Sequence, residues 1–368
     1  MEFSITKENL IQPLSLIMGV VDKKQTSQIL SFVLLKVLDN KIILTATDSD
    51  IEIKVNIKII TSSDIDGFTF PGKKLLDICK TLPDNSEIKF LLEKDKLKVL
   101  SGKSKFSLSS IDKNEFPVIT EKLKGSSFPI SKNILKQLLQ ITQFSMAQTD
   151  IRHYFLGMLW ELKKGTLRVI TTDGHRLSIA ESNNLDINLA ELKKIIIPKK
   201  SILELIKLLP DDMEKVWVTL TDSYMLIKDD SFSFTTKLLD ATFPNYESVI
   251  LKNPENIITI DKEVLKQTLL RVSILTNEKS RAVRFVISNN VLSITSNNPE
   301  QEHAEEELEI NYQGKNIEIG FNVNYLLDIL GTLPEGDVEI KMKDANSSVL
   351  LNSKNNFPGL YIVMPLHI

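Results

Sequence analysis

The chain has 368 residues, more than one ordinary hydrophobic core serves, so two or three domains are expected. Hydrophobic residues make up 42% and charged residues 25%, with 13 Gly and 13 Pro, which excludes disordered and fibrous classes. Cys79 is the only cysteine, which excludes an internal disulfide and a thiolate metal cluster, and the net charge of −3 excludes a uniformly basic surface that grips nucleic acid through its phosphates. The first residues, MEFSITKENL, lack the basic and apolar regions of a signal peptide, and no apolar run approaches the ~18 residues of a membrane span, so a cytoplasmic address is expected.

In chain order, ITKENLIQPL from Ile5 predicts a helix, followed by the alternating, strand-like FVLLKVLDNKIILTATDSDIEIKV from Phe32. KLLDICKTLPD from Lys74 predicts a second helix, stopped by Pro83, and EIKFLLEKDKLKVLSGKSKFSLSSI from Glu87 more strands. Cys79 falls on the apolar stripe of that helix and is expected in the core. The pair then returns. ISKNILKQLL from Ile130 and SILELIKLLPDD from Ser201, stopped by Pro210, are helices, each with strands after it. IDKEVLKQTL from Ile260 and YLLDILGTLPEGD from Tyr325, stopped by Pro334, repeat it once more. Thr6, Ser131 and Asp261 stand where helix N-caps belong, each preceded by Ile and followed at staple spacing by Leu10, Leu135 and Leu265. The three prolines are 127 and 124 residues apart. An α+β chain of three similar domains follows, 1–126, 127–254 and 255–368, each a helix-plus-antiparallel-strands unit given twice. A head-to-tail array of like units closes into a ring or grows into a filament, and closure is the reading adopted here.

On the predicted helices Lys7, Lys73, Lys74, Lys80, Lys132, Lys136, Lys199, Lys200, Lys207, Lys262, Lys266 and Arg271 outnumber Glu8, Asp77, Glu204, Asp261, Glu263 and Asp328. Either these lysines only solvate exposed helix faces, or the faces form one basic surface for a polyanion bound weakly and without base readout. A second asymmetry joins Glu300, Glu302, Glu305, Glu306, Glu307 and Glu309 near one end with Lys98, Lys103 and Lys105 near the other. These are either charge-protected edge strands or two strands that pair across a subunit boundary, with Phe106, Leu108, Ile274 and Leu275 as the apolar part of the contact.

Further segments are QFSMAQTDIRHYF from Gln143, TTDGHRL from Thr171, FPNYESVI from Phe243, NEKSRAVRF from Asn277, NNPEQEHAEEEL from Asn297, IEIGFNVNYLLDIL from Ile317 and the terminal YIVMPLHI. With these motifs the chain resembles the bacterial beta sliding clamp, the beta subunit of DNA polymerase III, along nearly its whole length. The resemblance implies a homodimeric ring of clamp domains, helices lining the channel and sheets outside, which encircles duplex DNA as a non-catalytic processivity factor. It implies as partners an ATP-driven clamp loader, the polymerase III alpha subunit, and other polymerases or repair proteins that bind through short Leu- and Phe-containing motifs. Its peptide groove, between the second and third domains, carries over onto Arg152, Tyr154, Phe155, Thr172, Gly174, His175, Arg176, Leu177, Pro244, Val249, Ser348, Ile362, Met364, Pro365 and Leu366. Its DNA contacts carry over onto Lys24, Lys73, Lys80, Gln148, Thr149, His153, Tyr154, Lys199 and Lys200. The dimer interface is expected at Lys74, Lys103, Lys105, Phe106, Leu108, Ile274, Leu275, Glu300, Glu302, Glu305 and Glu306, in keeping with the opposite charges of the two edges. His367 and Ser248 depart from the family, which often has basic residues there. Asp173-Gly174 reads as a hairpin turn that presents His175 and Arg176.

An enzyme is the rival class, and its parts are missing. The four histidines, His153, His175, His303 and His367, have no HxxxH or HExxH spacing, and there is no Walker loop, GxGxxG or GxSxG. No cofactor, metal or catalytic residue is therefore expected.

Overall fold

Each recurring sequence pattern becomes a helix followed by an antiparallel meander. A computed structural model describes residues 2–21, 27–59, 64–119, 124–189 and 191–366. The first third gives β1 (Glu2–Thr6), α1 (Lys7–Ile17), β2 (Phe32–Leu38), β3 (Lys41–Thr47), β4 (Ile51–Lys58), β5 (Ile65–Pro71), α2 (Gly72–Thr81), β6 (Glu87–Glu93), β7 (Lys96–Ser101) and β8 (Ser104–Ser109). The second gives β9 (Ser126–Ser131), α3 (Lys132–Gln140), β10 (Gly157–Lys163), β11 (Thr166–Thr172), β12 (Arg176–Ser182), β13 (Lys193–Pro198), α4 (Lys199–Leu208), β14 (Lys215–Leu220), β15 (Tyr224–Lys228) and β16 (Phe232–Lys237). The third gives β17 (Asn256–Asp261), α5 (Lys262–Val272), β18 (Ala282–Ser288), β19 (Val291–Asn297), β20 (His303–Glu309), β21 (Ile317–Asn322), α6 (Val323–Thr332), β22 (Asp337–Met342), β23 (Val349–Ser353) and β24 (Gly359–Val363). None of these helices is long and apolar enough to cross a membrane.

Contacts divide the chain into two compact units, Met1–Leu135 with Lys200–Leu238, and Lys136–Lys199 with Leu239–Ile368. In the first unit an eight-stranded sheet runs β5-β2-β3-β4-β16-β15-β14-β9. Its two meanders come from different thirds of the chain and meet antiparallel, with Ile51 opposite Thr236, Ile53 opposite Phe234 and Val55 opposite Phe232. In the second unit the sheet β13-β10-β11-β12-β24-β23-β22-β17 repeats that join, with Leu177 opposite Ile362 and Ile179 opposite Leu360. Each unit also holds a four-stranded sheet, β1-β6-β7-β8 in the first and β20-β19-β18-β21 in the second. Among the described residues β8 and β20 have a strand partner on one side only.

The cores follow from the apolar periodicities. In the second unit Leu265, Leu269 and Val272 of α5 and Val323, Leu326, Ile329 and Leu330 of α6 share one buried cluster with Phe285, Phe321 and Tyr361. Each such aliphatic side chain contributes about 1.5–3 kcal/mol on burial. Cys79 is buried among apolar neighbours, which pushes its thiol up to about 11 and makes it a packing residue.

The helix starts differ from the sequence expectation. Of the three caps read from the sequence, Asp261 alone caps its helix through its side chain, accepting from the N–H groups of Glu263 and Val264, while Asn322, not singled out from the sequence, caps α6 by accepting from the N–H of Asn324. Thr6 makes no side-chain cap, and the Ser131 hydroxyl is buried with no partner. At all three starts, capped or not, the first helical N–H donates to a backbone carbonyl of the turn after the other helix of that third. The N–H of Lys7 donates to Ser86 O at 2.9 Å, that of Lys132 to Glu214 O at 2.9 Å and that of Lys262 to Gly336 O at 3.0 Å. The same three lysines are buried, not displayed on a helix face. Lys7 Nζ donates to Leu82 O and Asp84, and Lys262 Nζ to Leu333 O and Glu335. Lys132 Nζ lies 2.8 Å from Asp229 and 2.9 Å from Glu214. One lysine thus fastens the two helical halves of each third, and the helix surface carries less positive charge than the sequence count implies.

Candidate functional site

The second unit holds an apolar groove whose innermost cavity is about 130 Å³. Its floor is the sheet at the join of β12 and β24, where Leu177 and Ile362 are opposite one another. Phe155 and Thr172 line one part, Gly174 and Arg176 the turn end, Pro244, Asn245, Tyr246 and Val249 the wall, and Met364 the last side. Leu177, Tyr246 and Ile362 belong to a buried cluster with Leu159, Ile170, Ile179 and Ile196. Tyr154, Phe243 and Val249 pack against it half-buried.

The turn Asp173–His175 is built for close approach. Thr172 Oγ1 donates to the carbonyl of Arg176 at 2.6 Å and accepts the N–H of Gly174 at 3.0 Å, while one Asp173 oxygen accepts the N–H groups of His175 and Arg176. Gly174 has φ of +89°, and a Cβ there would sit 3.3 Å from the Phe155 ring. Arg176 is the bolt behind this turn. Its guanidinium lies 4.6 Å from the Tyr325 ring centre and 5.3 Å from that of Phe144, and donates to Asp173, Asp328 and the carbonyl of Phe144. Burial pushes the neighbouring Tyr325 phenol upward, so it stays neutral.

The remaining carried-over groove residues surround the cavity without lining it. Arg152 covers the outer face of Phe155, 4.3 Å from its centre, and its hydrogen bonds hold the Asp150 carboxyl down at about 2. Tyr154 meets Phe155 edge-on at 4.6 Å, and His175 stacks toward Tyr325 at 6.5 Å, its carbonyl accepting the N–H of Met364. Ser348 Oγ donates to the carbonyl of Val249 at 2.8 Å. Leu366, after Pro365, forms a bridge to Gly320 of β21. His367 lies outside the described residues. Asn245 and Tyr246 were missed by the sequence reading although they fall within FPNYESVI, because a tyrosine between wall residues carries no sign of which way its ring turns.

The groove is lined mostly by apolar side chains, with Thr172, Asn245 and Arg176 as its polar members. Among the described residues no group of three or more His, Cys, Asp or Glu is gathered to hold a metal ion.

Three family models match the chain in succession: DNA polymerase III beta subunit, N-terminal domain, over residues 1–120, central domain over 129–245 and C-terminal domain over 247–367. The chain belongs to the beta sliding clamp family. The beta sliding clamp of Pseudomonas aeruginosa is 40% identical over 368 residues and that of Vibrio cholerae 39%, each covering 100% of both chains. The structure of the P. aeruginosa sliding clamp bound to griselimycin, 40% identical, superposes with a TM-score of 0.96 over 100% of both chains. The chain is accordingly a non-catalytic clamp subunit built from clamp domains.

The carried-over DNA positions of this clamp fall on both units. In the first, Lys73 pairs with Asp77 at 2.8 Å, Lys200 with Asp48 at 2.6 Å, and Lys80 is exposed in the last turn of α2. In the second, Gln148, Thr149 and His153 are exposed on a loop closed at its base by the Ala147 N–H donating to Phe155 O. Ile151, at the tip, is 93% exposed and was not singled out from the sequence. Lys199 Nζ holds the carbonyls of Met146 and Ala147 at 3.0 and 3.2 Å, and burial pulls its ammonium below the usual lysine range. Tyr154 packs half-buried on the apolar cluster beside the groove. Lys24 lies outside the described residues.

Proposed function

We propose that the chain is a DNA sliding clamp whose two copies close head to tail around duplex DNA, while the groove holds short apolar segments of the proteins that work there. The repeated sheet join carries this reading. Twice within the chain a meander of one third meets a meander of the next, β4 against β16 and β12 against β24, leaving β8 and β20 as the corresponding unmatched edges. The same join made between two chains pairs β20 of one with β8 of the other, and used twice it removes both edges and closes a two-fold ring. The exposed lysines 103 and 105 and the acidic run from Glu300 to Glu305 give that contact opposite signs. Phe106 and Leu275 are half-buried, Leu108 is buried, and Ile274 is 76% exposed, which suits an apolar centre. Lys74 is exposed on α2. Glu306 is already paired with Arg271 at 2.6 Å, which holds its carboxyl below the usual range, so it contributes least to steering.

On this reading the three domains are 1–126, 127–254 and 255–368, their helices face the channel, and DNA is held by topology and not by grip. Lys73, Lys80, Lys199, Lys200, Gln148, Thr149 and His153 then touch phosphates weakly, without sequence preference and with strong salt dependence. Partners are an ATP-driven loader that opens the ring, the polymerase III alpha subunit and other motif-bearing polymerases and repair proteins, in the cytoplasm. Sedimentation equilibrium tests the assembly. A species of twice the 41.7 kDa chain mass is expected, shifting toward monomer in Ile274→Asp; a single 41.7 kDa species at micromolar concentration contradicts the ring.

A further inference from the structure

Beside the groove, on the same face of its sheet, a row of alternating charge crosses four neighbouring strands. Lys194 on β13 stands opposite Glu161 on β10, Glu161 opposite Arg168 on β11, and Arg168 opposite Glu181 on β12. Lys194 Nζ lies 2.6 Å from one Glu161 oxygen, and Arg168 Nε donates to Glu181 at 2.6 Å. The middle of the row receives the Tyr246 phenol, which donates to the other Glu161 oxygen at 2.8 Å and accepts from Arg168 Nη1 at 3.4 Å. Glu161 is only 8% exposed, so its carboxylate depends on these partners. The Tyr246 ring meanwhile forms part of the groove wall and is 6% exposed.

We infer that Tyr246 is a positioning residue for peptide binding, its hydroxyl pegging the wall segment of Pro244 and Val249 to the charged row and so fixing the groove's width and its choice of apolar side chain. The inference rests on the reading of the groove as a peptide site. The wall is otherwise tied near its far end, where Ser348 holds the Val249 carbonyl. Burial pushes the phenol up to about 12, so it remains a donor throughout the working pH range. In a cavity of about 130 Å³ a displacement worth one methylene is felt by whatever side chain enters. Removing the hydroxyl keeps the ring but leaves a buried carboxylate short of a donor.

The test uses the full chain and a fluorescent hexapeptide carrying an adjacent Leu-Phe pair, together with the same peptide with Phe replaced by Leu, read by anisotropy. Tyr246→Phe is expected to weaken the Leu-Phe peptide about tenfold, the equivalent of one lost hydrogen bond to a charged group, and to change the ratio of the two affinities about threefold. Glu161→Gln, which keeps an acceptor for the phenol, is expected to stay within about threefold of the parent in both readouts. Should Tyr246→Phe fail to fold, Arg168→Lys, which removes the Nη1 donor and keeps the charge, is expected to change the ratio in the same direction. If the parent binds the peptide and the variants bind with unchanged affinity and unchanged ratio, the inference is overturned. If the parent does not bind at all, the peptide reading of the groove fails and the inference with it.

Discussion

Lys132 looks, in sequence, like any lysine at the start of an amphipathic helix, yet only 3% of it meets solvent and three carboxylates surround it. Burial alone would lower its ammonium, but Asp229 and Glu214 more than offset that and raise it above the ordinary lysine value of 10.5. A raised value means the stabilisation is fully present below pH 10.5 and is lost only as pH rises beyond it, so no dependence on this group is expected between pH 6 and 9. Lys132→Met should lower stability by about 3 kcal/mol in urea titrations, because Asp229 is left buried with less than its full set of donors. A loss under about 0.5 kcal/mol would mean that the lysine merely solvates. Gly174 makes the opposite kind of contribution, through absence. Gly174→Ala should cost about 1 kcal/mol of stability and weaken peptide binding by several fold, since the new methyl meets Phe155 in a left-handed turn; unchanged affinity would place the peptide elsewhere.

At the scale of elements, the repeat was legible because helix starts, apolar stripes and the stopping prolines are local patterns, and Pro83, Pro210 and Pro334 do follow helices ending at Thr81, Leu208 and Thr332. The cap at Asp261 was read correctly, but those at Thr6 and Ser131 were not, because a serine or threonine before a helix looks the same whether or not its own oxygen accepts from the first N–H groups. The order of strands was not legible either. A meander's edge carries no address in its sequence, so nothing local announced that β4 meets β16 or β12 meets β24. Tyr246 escaped for a related reason, since its hydrogen bonds go to Glu161 and Arg168, more than 70 residues away. If β8 and β20 do pair between chains, Lys103→Glu with Lys105→Glu should weaken the dimer at least tenfold at low salt. Adding Glu302→Lys and Glu305→Lys should restore part of that affinity. Absence of any rescue would separate these two edges.

At the scale of the whole molecule, a chain with a net charge of −3 and three of its helix lysines buried is poorly equipped to hold DNA by charge, which is why retention by threading is the central claim. The alternatives are a scaffold that never touches DNA and an ordinary phosphate binder, and both differ from a ring in how they respond to DNA ends. The decisive measurement loads the clamp onto nicked circular DNA, isolates the complex by gel filtration at raised salt, and then cuts the circle once with a restriction enzyme. Threading predicts that the clamp stays with the closed circle and leaves within minutes of the cut; equal retention on the cut and uncut DNA, or none on either, would contradict it.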